Sequence, residues 1–360
     1  MVLLFLDRPD TIAVDNFHVF ATILGFTLGL LSGTILTKFI DVVSGEPKLS
    51  PSQCIHCGSH LRWWQQFWIP NFTVTRSRCR NCGRTMGRWG GLVELTTGLL
   101  FGGFVFAYVV LDCQKIDEVR PDALWWYGRI VFHLFLISLL IAATATDLQN
   151  YIIPDSITIP GMVIALIGAA LSGDLQLIHV WVDWNQQVEG LAGPYIPGWL
   201  GNNYHWHGLA WSAAGLIAGG SVMWLARAIS SFVLGHESLG FGDVMLMATI
   251  GSFIGWQPVI FVFLLAPLCG IVLTMNAKLF FDRPIVPYGP YLSVATVIVL
   301  FSWKWLWQWE PTNTFSIRRL FGDWVSLVIL AGTAIIALAA LLGTLRLYHA
   351  IPGKRRDTES

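Results

Sequence analysis

The sequence predicts an all-α polytopic integral membrane protein with eight or nine transmembrane helices and a small cysteine module outside the bilayer. Of its 360 residues, 54% are hydrophobic and only 12% are charged, whereas roughly 25% are charged in an ordinary soluble domain. This composition excludes a water-soluble globular enzyme and makes the lipid bilayer a partner. The 22 basic and 22 acidic residues balance, so nothing indicates a nucleic-acid partner, which would require a clearly basic domain.

Apolar runs of about 20 residues, the length that spans a bilayer, give the number of helices. In the first run, glycines recur every four residues at Gly25, Gly29 and Gly33. They strip one helix face of side chains and predict the close approach of another helix. The predicted runs are 17–40, 91–111, 125–146, 159–178, 208–234, 258–279, 288–301 and 324–347, with a shorter one at 244–256.

Basic residues predict the orientation, because Lys and Arg in short loops stay in the cytoplasm. Seven of them lie in the loop 41–90: Lys48, Arg62, Arg76, Arg78, Arg80, Arg84 and Arg88. Counting alternately from this cytoplasmic loop puts segments 147–160, 235–243 and 278–287 inside as well. It puts segments 113–124, 180–207 and 304–322 outside, the second as a loop at the lipid headgroups. The predicted regions are a first helix within 1–40, a cysteine module at 41–90, a membrane domain at 91–347 and a basic tail at 348–360.

The cysteine module contains two C-x-x-C pairs, Cys54 with Cys57 and Cys79 with Cys82. Two such knuckles can arrange four thiolates tetrahedrally around zinc, and the glycine after each pair supplies the positive φ of a tight turn. Disulfides are disfavoured in the cytoplasm. The pattern therefore predicts a small cytoplasmic zinc-binding module in which the metal is structural. The other two cysteines, Cys113 and Cys269, are interpreted as buried thiols.

Two aspartates adjoin apolar helices on the predicted cytoplasmic side. Asp147 ends the run that precedes it, and Asp243 follows Gly240-Phe241-Gly242. If the bundle brings the two together, one carboxyl keeps its proton while the other stays ionised, and the pair can act as a general acid and a general base. The structural alternative is that Asp243 is only a helix N-cap. Asp155 is interpreted as such a cap for the next helix.

In these residues the chain resembles the type IV prepilin peptidase family of bacterial membrane aspartic peptidases. The matching segments follow the family's order: the two cysteine knuckles, Leu92-Val-Glu94-Leu-Thr-Thr-Gly98, Asp147 with Ile153-Pro154-Asp155, Gly240-Phe-Gly242-Asp243, and Pro287-Tyr288-Gly289-Pro290-Tyr291-Leu292. Together they cover residues 51–292.

The resemblance implies that Asp147 and Asp243 are the catalytic pair of a peptidase in the bacterial inner (cytoplasmic) membrane, with its active site facing the cytoplasm. Its substrates would be type IV prepilins or type II secretion pseudopilins, cut between a short basic leader and an apolar helix. The resemblance also implies methylation of the new N-terminus with S-adenosylmethionine, for which Arg88 and Glu94 are candidate residues. Segment 32–40 lacks the asparagine found there in the family, which leaves the methyltransferase activity open.

Other functions remain open at this stage. A presenilin-like intramembrane protease also uses a Gly-x-Gly-Asp loop, but it carries a late Pro-Ala-Leu motif where this chain has Ala266-Pro267-Leu268. A proton-coupled transporter could use the two aspartates as a relay, although the sequence shows no internal repeat. A zinc-bearing scaffold without catalysis would explain the cysteines and leave the aspartates without a role.

Overall fold

The structure is a computed structural model of a helical membrane protein. It describes residues 16–44, 54, 57–60, 78–79, 81–84, 89–116, 118–119, 121–181, 203–235, 237, 239–281, 287–311, 316–333 and 335–336. The chain divides into two compact units, Met1–Gln114 and Lys115–Ser360.

The first unit contains a pair of packed helices, α1 (Asn16–Val43) and α2 (Trp89–Val109). A Cβ at Gly29 would lie 2.7 Å from the carbonyl oxygen of Thr97, and one at Gly33 would lie 2.6 Å from Cα of Glu94. The glycine stripe therefore brings the two backbones into contact, as its spacing predicted. Glu94 is buried in this contact, where it accepts a hydrogen bond from the hydroxyl of Thr34 at 2.9 Å.

The second unit contains the remaining helices that the structure describes. They are α3 (Ala123–Asn150), α4 (Asp155–Ser172), α5 (Tyr204–Leu234), α6 (Phe241–Ile254), α7 (Trp256–Phe281), α8 (Gly289–Trp307), α9 (Ile317–Gly322) and α10 (Trp324–Thr333). Counting both units, seven helices are long and apolar enough to cross a membrane, and α6 and α10 are shorter apolar helices. The predicted all-α polytopic architecture is confirmed.

Helix α6 lies in the interior of the second unit and is tightly held against α5. Its residues from Leu246 to Ile254 are all buried. Gly215 and Gly251 face each other so closely that a Cβ on either would overlap the other's carbonyl oxygen, and Gly219 meets the carbonyl of Met247 in the same way. With 14 residues α6 is about 21 Å long, less than the bilayer's hydrocarbon core of about 30 Å. A short helix that is enclosed over most of its length can present a polar residue of its first turn within the apolar region.

Contacts at the two ends of the second unit agree with the predicted alternation of loops. At one end Glu118 accepts a hydrogen bond from Trp307 Nε1 at 3.2 Å and pairs with Arg318 at 3.4 Å. His179 Nε2 donates to the carbonyl of Glu118 at 3.0 Å. Segments predicted to share the outer side therefore meet. At the opposite end, segments predicted to share the inner side meet around Ile153, as described below.

Several helix boundaries differ from the sequence prediction, and three of the differences have a clear structural basis. The run 159–178 is helical only to Ser172, because Gly173 adopts a left-handed conformation (φ 68°) and its N–H caps the carbonyl of Ala169. Conversely, α8 continues past residue 301 to Trp307, because Trp303 and Trp307 are buried and stacked on each other. Helix α4 starts at Asp155 itself, whose side chain is exposed and lies in the first turn instead of forming a cap. Most of the 180–207 loop lies outside the described residues.

Candidate active site and metal site

Asp147 lies in the last turn of α3 and is almost completely buried, with 5% of its surface exposed. The helix ends three residues later, where Tyr151 adopts a left-handed conformation and its N–H donates to the carbonyl of Asp147. The carboxylate accepts a hydrogen bond on Oδ2 from the backbone N–H of Gly289, the first residue of α8, at 3.0 Å. This contact across 142 residues fixes one oxygen of the acid and thereby the direction of the carboxyl group.

Asp243 lies in the first turn of α6 and is 8% exposed. Its Oδ2 accepts the backbone N–H of Gly240 at 3.2 Å, which satisfies one of the free donors at the start of the helix. The N-cap is Gly240 and Asp243 is the third residue of the helix, so the interpretation of Asp243 as the N-cap is wrong, although its side chain reaches back to bind the N-cap backbone. Capping alone does not require burial, however, and an acid that only caps is normally solvated.

The two acids come together around one side chain, Ile153, in the loop between α3 and α4. A Cβ at Gly242 would lie 3.1 Å from Cβ of Ile153, and a Cβ at Gly289 would lie 3.1 Å from its Cδ1. The residues next to both acids thus pack on the same isoleucine. Asp147 and Asp243 are close enough for the charge of one to act on the other. The geometry brings two buried carboxylates from separate helices into one site.

Tyr288 adjoins this acid pair. It precedes Gly289, and its ring packs edge-on against Tyr291 with centroids 5.7 Å apart. Burial, together with the negative charge of Asp243, raises the pKa of Tyr288 to about 12. The phenol is therefore a neutral hydrogen-bonding group at physiological pH.

The four predicted cysteines cluster in the first unit. Their sulfurs all lie within 4.8 Å of one another, and the Cys54–Cys82 and Cys57–Cys79 pairs are each 3.8 Å apart. A tetrahedron with zinc–sulfur bonds of about 2.3 Å has edges of about 3.8 Å. The donor set therefore fits a metal ion of this kind, and the cluster can hold one.

Each cysteine pair is built as the same knuckle. Gly58 and Gly83 have φ values of 68° and 69°, as the sequence predicted. In each knuckle the glycine N–H donates to the carbonyl of the first cysteine at 2.8 Å. The side chain of Ser59 lies 3.0 Å from the sulfur of Cys57 and 3.7 Å from that of Cys79.

The local hydrogen bonds stabilise thiolates in this cluster. Hydrogen bonds from the backbone of Cys82 and Asn81 lower the pKa of Cys79 to about 6. A backbone hydrogen bond from Arg84 acts in the same direction on Cys82, but burial and the three other thiols raise its pKa to about 11. Four neighbouring thiols cannot all ionise without a cation, which is the electrostatic condition that a bound metal satisfies.

Of the other residues considered from the sequence, Glu237 is an exposed loop residue that pairs with Arg227 at 2.9 Å. Glu94 belongs to the α1–α2 contact described above. Cys113 and Cys269 are buried thiols, as predicted. Arg88 lies outside the described residues.

Sequence reasoning missed the roles of Gly289 and Ile153. Gly289 was visible only as part of a resembling segment, and nothing in the local sequence indicates that its N–H binds Asp147. A Cβ at this position would lie 2.5 Å from Oδ2 of the aspartate, so the contact requires glycine.

Two models of known protein families match parts of the chain. The family model described as "Type IV leader peptidase family" matches residues 134–275, which include both aspartates, and the "Bacterial Peptidase A24 N-terminal domain" matches residues 27–108. The part of the chain that carries both aspartates is thus similar to the type IV leader peptidase family. No solved structure was found to match it.

Several curated relatives carry the name prepilin leader peptidase/N-methyltransferase. A Burkholderia pseudomallei protein is 27% identical over 69% of this chain and 66% of its own length. A Pseudomonas putida protein is 26% identical over 69% and 70%, and a Myxococcus xanthus protein is 29% identical over 71% and 62%. The matched part thus spans about two thirds of the length of these relatives.

Proposed function

We propose that the chain is a membrane aspartic endopeptidase that removes the leader peptide of type IV prepilins or type II secretion pseudopilins at the cytoplasmic face. The observation that carries the proposal is the pair of buried carboxylates, Asp147 and Asp243, packed around Ile153. The similarity to the type IV leader peptidase family supports it. The basic loop at 41–90 supports the cytoplasmic orientation.

In this proposal the two carboxyls share one proton, because two adjacent carboxylates in an apolar site do not both ionise readily. The ionised acid takes a proton from water as the water oxygen attacks the scissile carbonyl carbon, and the protonated acid donates to the carbonyl oxygen. When the resulting tetrahedral intermediate collapses, the C–N bond breaks and the amine leaves with a proton returned from the pair. During these transfers, the hydrogen bond from Gly289 keeps the carboxyl group of Asp147 in a fixed orientation, and the hydrogen bond from Gly240 does the same for Asp243.

We further propose that the four-cysteine cluster holds one structural zinc ion. Cys54, Cys57, Cys79 and Cys82 would be its ligands, and Ser59 would donate to the thiolates. The metal would stabilise the cysteine module, which lies between α1 and α2 in the sequence. It has no part in the peptidase steps above.

Replacing either acid by its amide should abolish cleavage. Asp147→Asn and Asp243→Asn remove the titrating oxygen with little change in shape, so we expect each to reduce cleavage of a prepilin-type substrate in membranes by at least about 100-fold. Asp155→Asn is the matched control, because Asp155 lies in the same segment but is exposed; it should cleave at the wild-type rate. Cleavage that survives either of the first two changes, at equal expression, would refute the acid pair.

Adding one methyl group at Gly289 should also impair cleavage. In Gly289→Ala the new Cβ overlaps Oδ2 of Asp147 and displaces either the acid or its N–H partner. Because misplacement of a catalytic group by about 1 Å can cost 100-fold, we expect kcat to fall by about 10- to 100-fold. Gly332→Ala, where a Cβ meets nothing within 4 Å, is the control. Wild-type kcat in Gly289→Ala would show that this contact does not position Asp147.

Metal analysis of the purified protein should find about one zinc per chain. Cys54→Ser should lower this content and the thermal stability, whereas Cys269→Ser, which changes a buried thiol in α7, should leave the zinc content unchanged. A folded protein without zinc, or equal zinc in Cys54→Ser, would contradict the assignment.

Methyltransferase activity is proposed from the names of the relatives and from the match over residues 27–108. With S-adenosylmethionine present, the cleaved substrate should gain the mass of one methyl group at its new N-terminus, as measured by mass spectrometry. The Asp147→Asn variant provides the uncleaved reference. An unmethylated N-terminus after complete cleavage would contradict the proposed methyltransferase activity.

A further inference from the structure

A groove between α7 and α8 lies directly beside the acid pair. It has a volume of about 450 Å³ and is lined by Gly270, Ile271, Thr274, Met275, Tyr288 and Tyr291, among others. Ligand sites commonly occupy roughly 300–1,000 Å³. Tyr288 forms the link to the acids, because it lines the groove, precedes the residue that binds Asp147, and senses the charge of Asp243.

The groove is mainly apolar, and two of its three side-chain hydroxyls satisfy each other. The hydroxyls of Thr274 and Tyr291 bind each other at 2.7 Å. Gly270 leaves the backbone of α7 open to the ring of Tyr291, since a Cβ there would lie 3.0 Å from Cδ2 of the tyrosine. A charged leader would find no partners for its charges in a groove of this kind, whereas an apolar segment can pack against its walls.

The groove is also open to the lipid. Ile271 and Met275 on its rim are each 59% exposed in a helix that is apolar enough to span the membrane. Its lining on α7 extends from Pro267 to Met275, about 12 Å or just over two helical turns at about 1.5 Å per residue. These positions lie in the second half of α7, and the groove's two tyrosines lie at the start of α8.

We propose that this groove binds the first turns of the substrate's apolar helix, immediately after the scissile bond. The inference rests on the proposed peptidase function. A substrate cut just before an apolar helix has its scissile bond at the acids and its next residues beside Tyr288. Those residues are embedded in the bilayer, so they reach the groove sideways through the lipid across the rim formed by Ile271 and Met275. Tyr291, Thr274 and Gly270 then act as specificity-determining residues.

Two neighbouring positions on α7 allow a matched test. Ile271 lines the groove, whereas Val272 does not, and the two are 59% and 58% exposed. Ile271→Trp should fill the groove from its rim, and Val272→Trp should add the same bulk to the lipid face outside it. Two substrates are compared: a full-length prepilin-type protein, and a short peptide that contains the leader and the cleavage site but lacks the apolar helix.

For the full-length substrate we expect Ile271→Trp to raise KM by about tenfold or more, the lower range for a lost apolar contact, with kcat nearly unchanged. Cleavage of the short peptide should be unaffected, and Val272→Trp should behave as the wild type on both substrates. An unchanged KM in Ile271→Trp, or an equal loss on both substrates, would overturn the proposal. If the wild type cleaves neither substrate, it is the peptidase function that fails.

Photo-cross-linking provides a readout that does not depend on turnover. A diazirine analogue of leucine at position 271, which is close in size to isoleucine and so leaves the groove open, should in the Asp147→Asn background cross-link to the first turns of the substrate's apolar helix. The same derivative at position 272 should not. Cross-links from position 271 to lipid alone, in the presence of substrate, would overturn the proposal and identify the groove as a lipid site.

Discussion

The energetic problem that this fold solves is the burial of two like acids in an apolar helix bundle. An ionisable side chain in such surroundings is costly, and two adjacent ones repel each other. Both Asp147 and Asp243 carry this desolvation cost. Asp147 accepts a hydrogen bond from the backbone N–H of Gly289, and Asp243 accepts one from the backbone N–H of Gly240. Side-chain donors would need their own desolvation and ordering. Backbone donors at helix starts are already fixed and otherwise unpaired.

Several features of the second unit follow from this requirement. Helix α6 is short and enclosed, and its glycine contacts with α5 set its depth and rotation, which determine where Asp243 points. Gly242, next to Asp243, and Gly289, which binds Asp147, both pack on Ile153, and Gly289 brings α8 against Asp147. At the opposite end, the buried contacts of Glu118 with Trp307 and Arg318 join the segments that flank α3 and α8. The packing at both ends thus restricts how far these two helices can shift.

Much of the fold could be predicted from the sequence because it depends on local quantities. Helix existence follows from apolar runs, the α1–α2 contact from glycine spacing, and the cysteine cluster from two knuckles with their glycines. The end of α4 could not be predicted in this way. Beyond Gly173, three apolar residues, Leu175, Leu177 and Ile178, are interspersed with Asp174 and Gln176, and they are buried without being helical. Hydropathy reports burial in the bilayer or the core, and it does not distinguish a helix from a packed loop.

The candidate site was harder to predict from the sequence, because it is formed by contacts between residues that are far apart in the chain. Asp147 and Asp243 were recognisable as acids at the edges of apolar helices, but the same pattern describes a helix cap, and Asp243 does accept such a bond. What separates the two interpretations is burial together with a second acid nearby, and both are tertiary properties. The same holds for Gly289, whose need for glycine arises from an atom 142 residues away in sequence.

The proposed groove connects these observations to selectivity. If an apolar helix is bound beside Tyr288, the position of the cut is determined by where that helix begins, with little need for recognition of individual side chains. Choosing the cleavage position in this way suits a peptidase whose substrates share a leader and an apolar helix but differ elsewhere. The mutual hydrogen bond of Thr274 and Tyr291 fits this arrangement, because two hydroxyls that are already paired do not compete for the polar groups of the scissile bond. The acids supply the chemistry in this arrangement, and the lipid-facing surface of α7 and α8 supplies the selection.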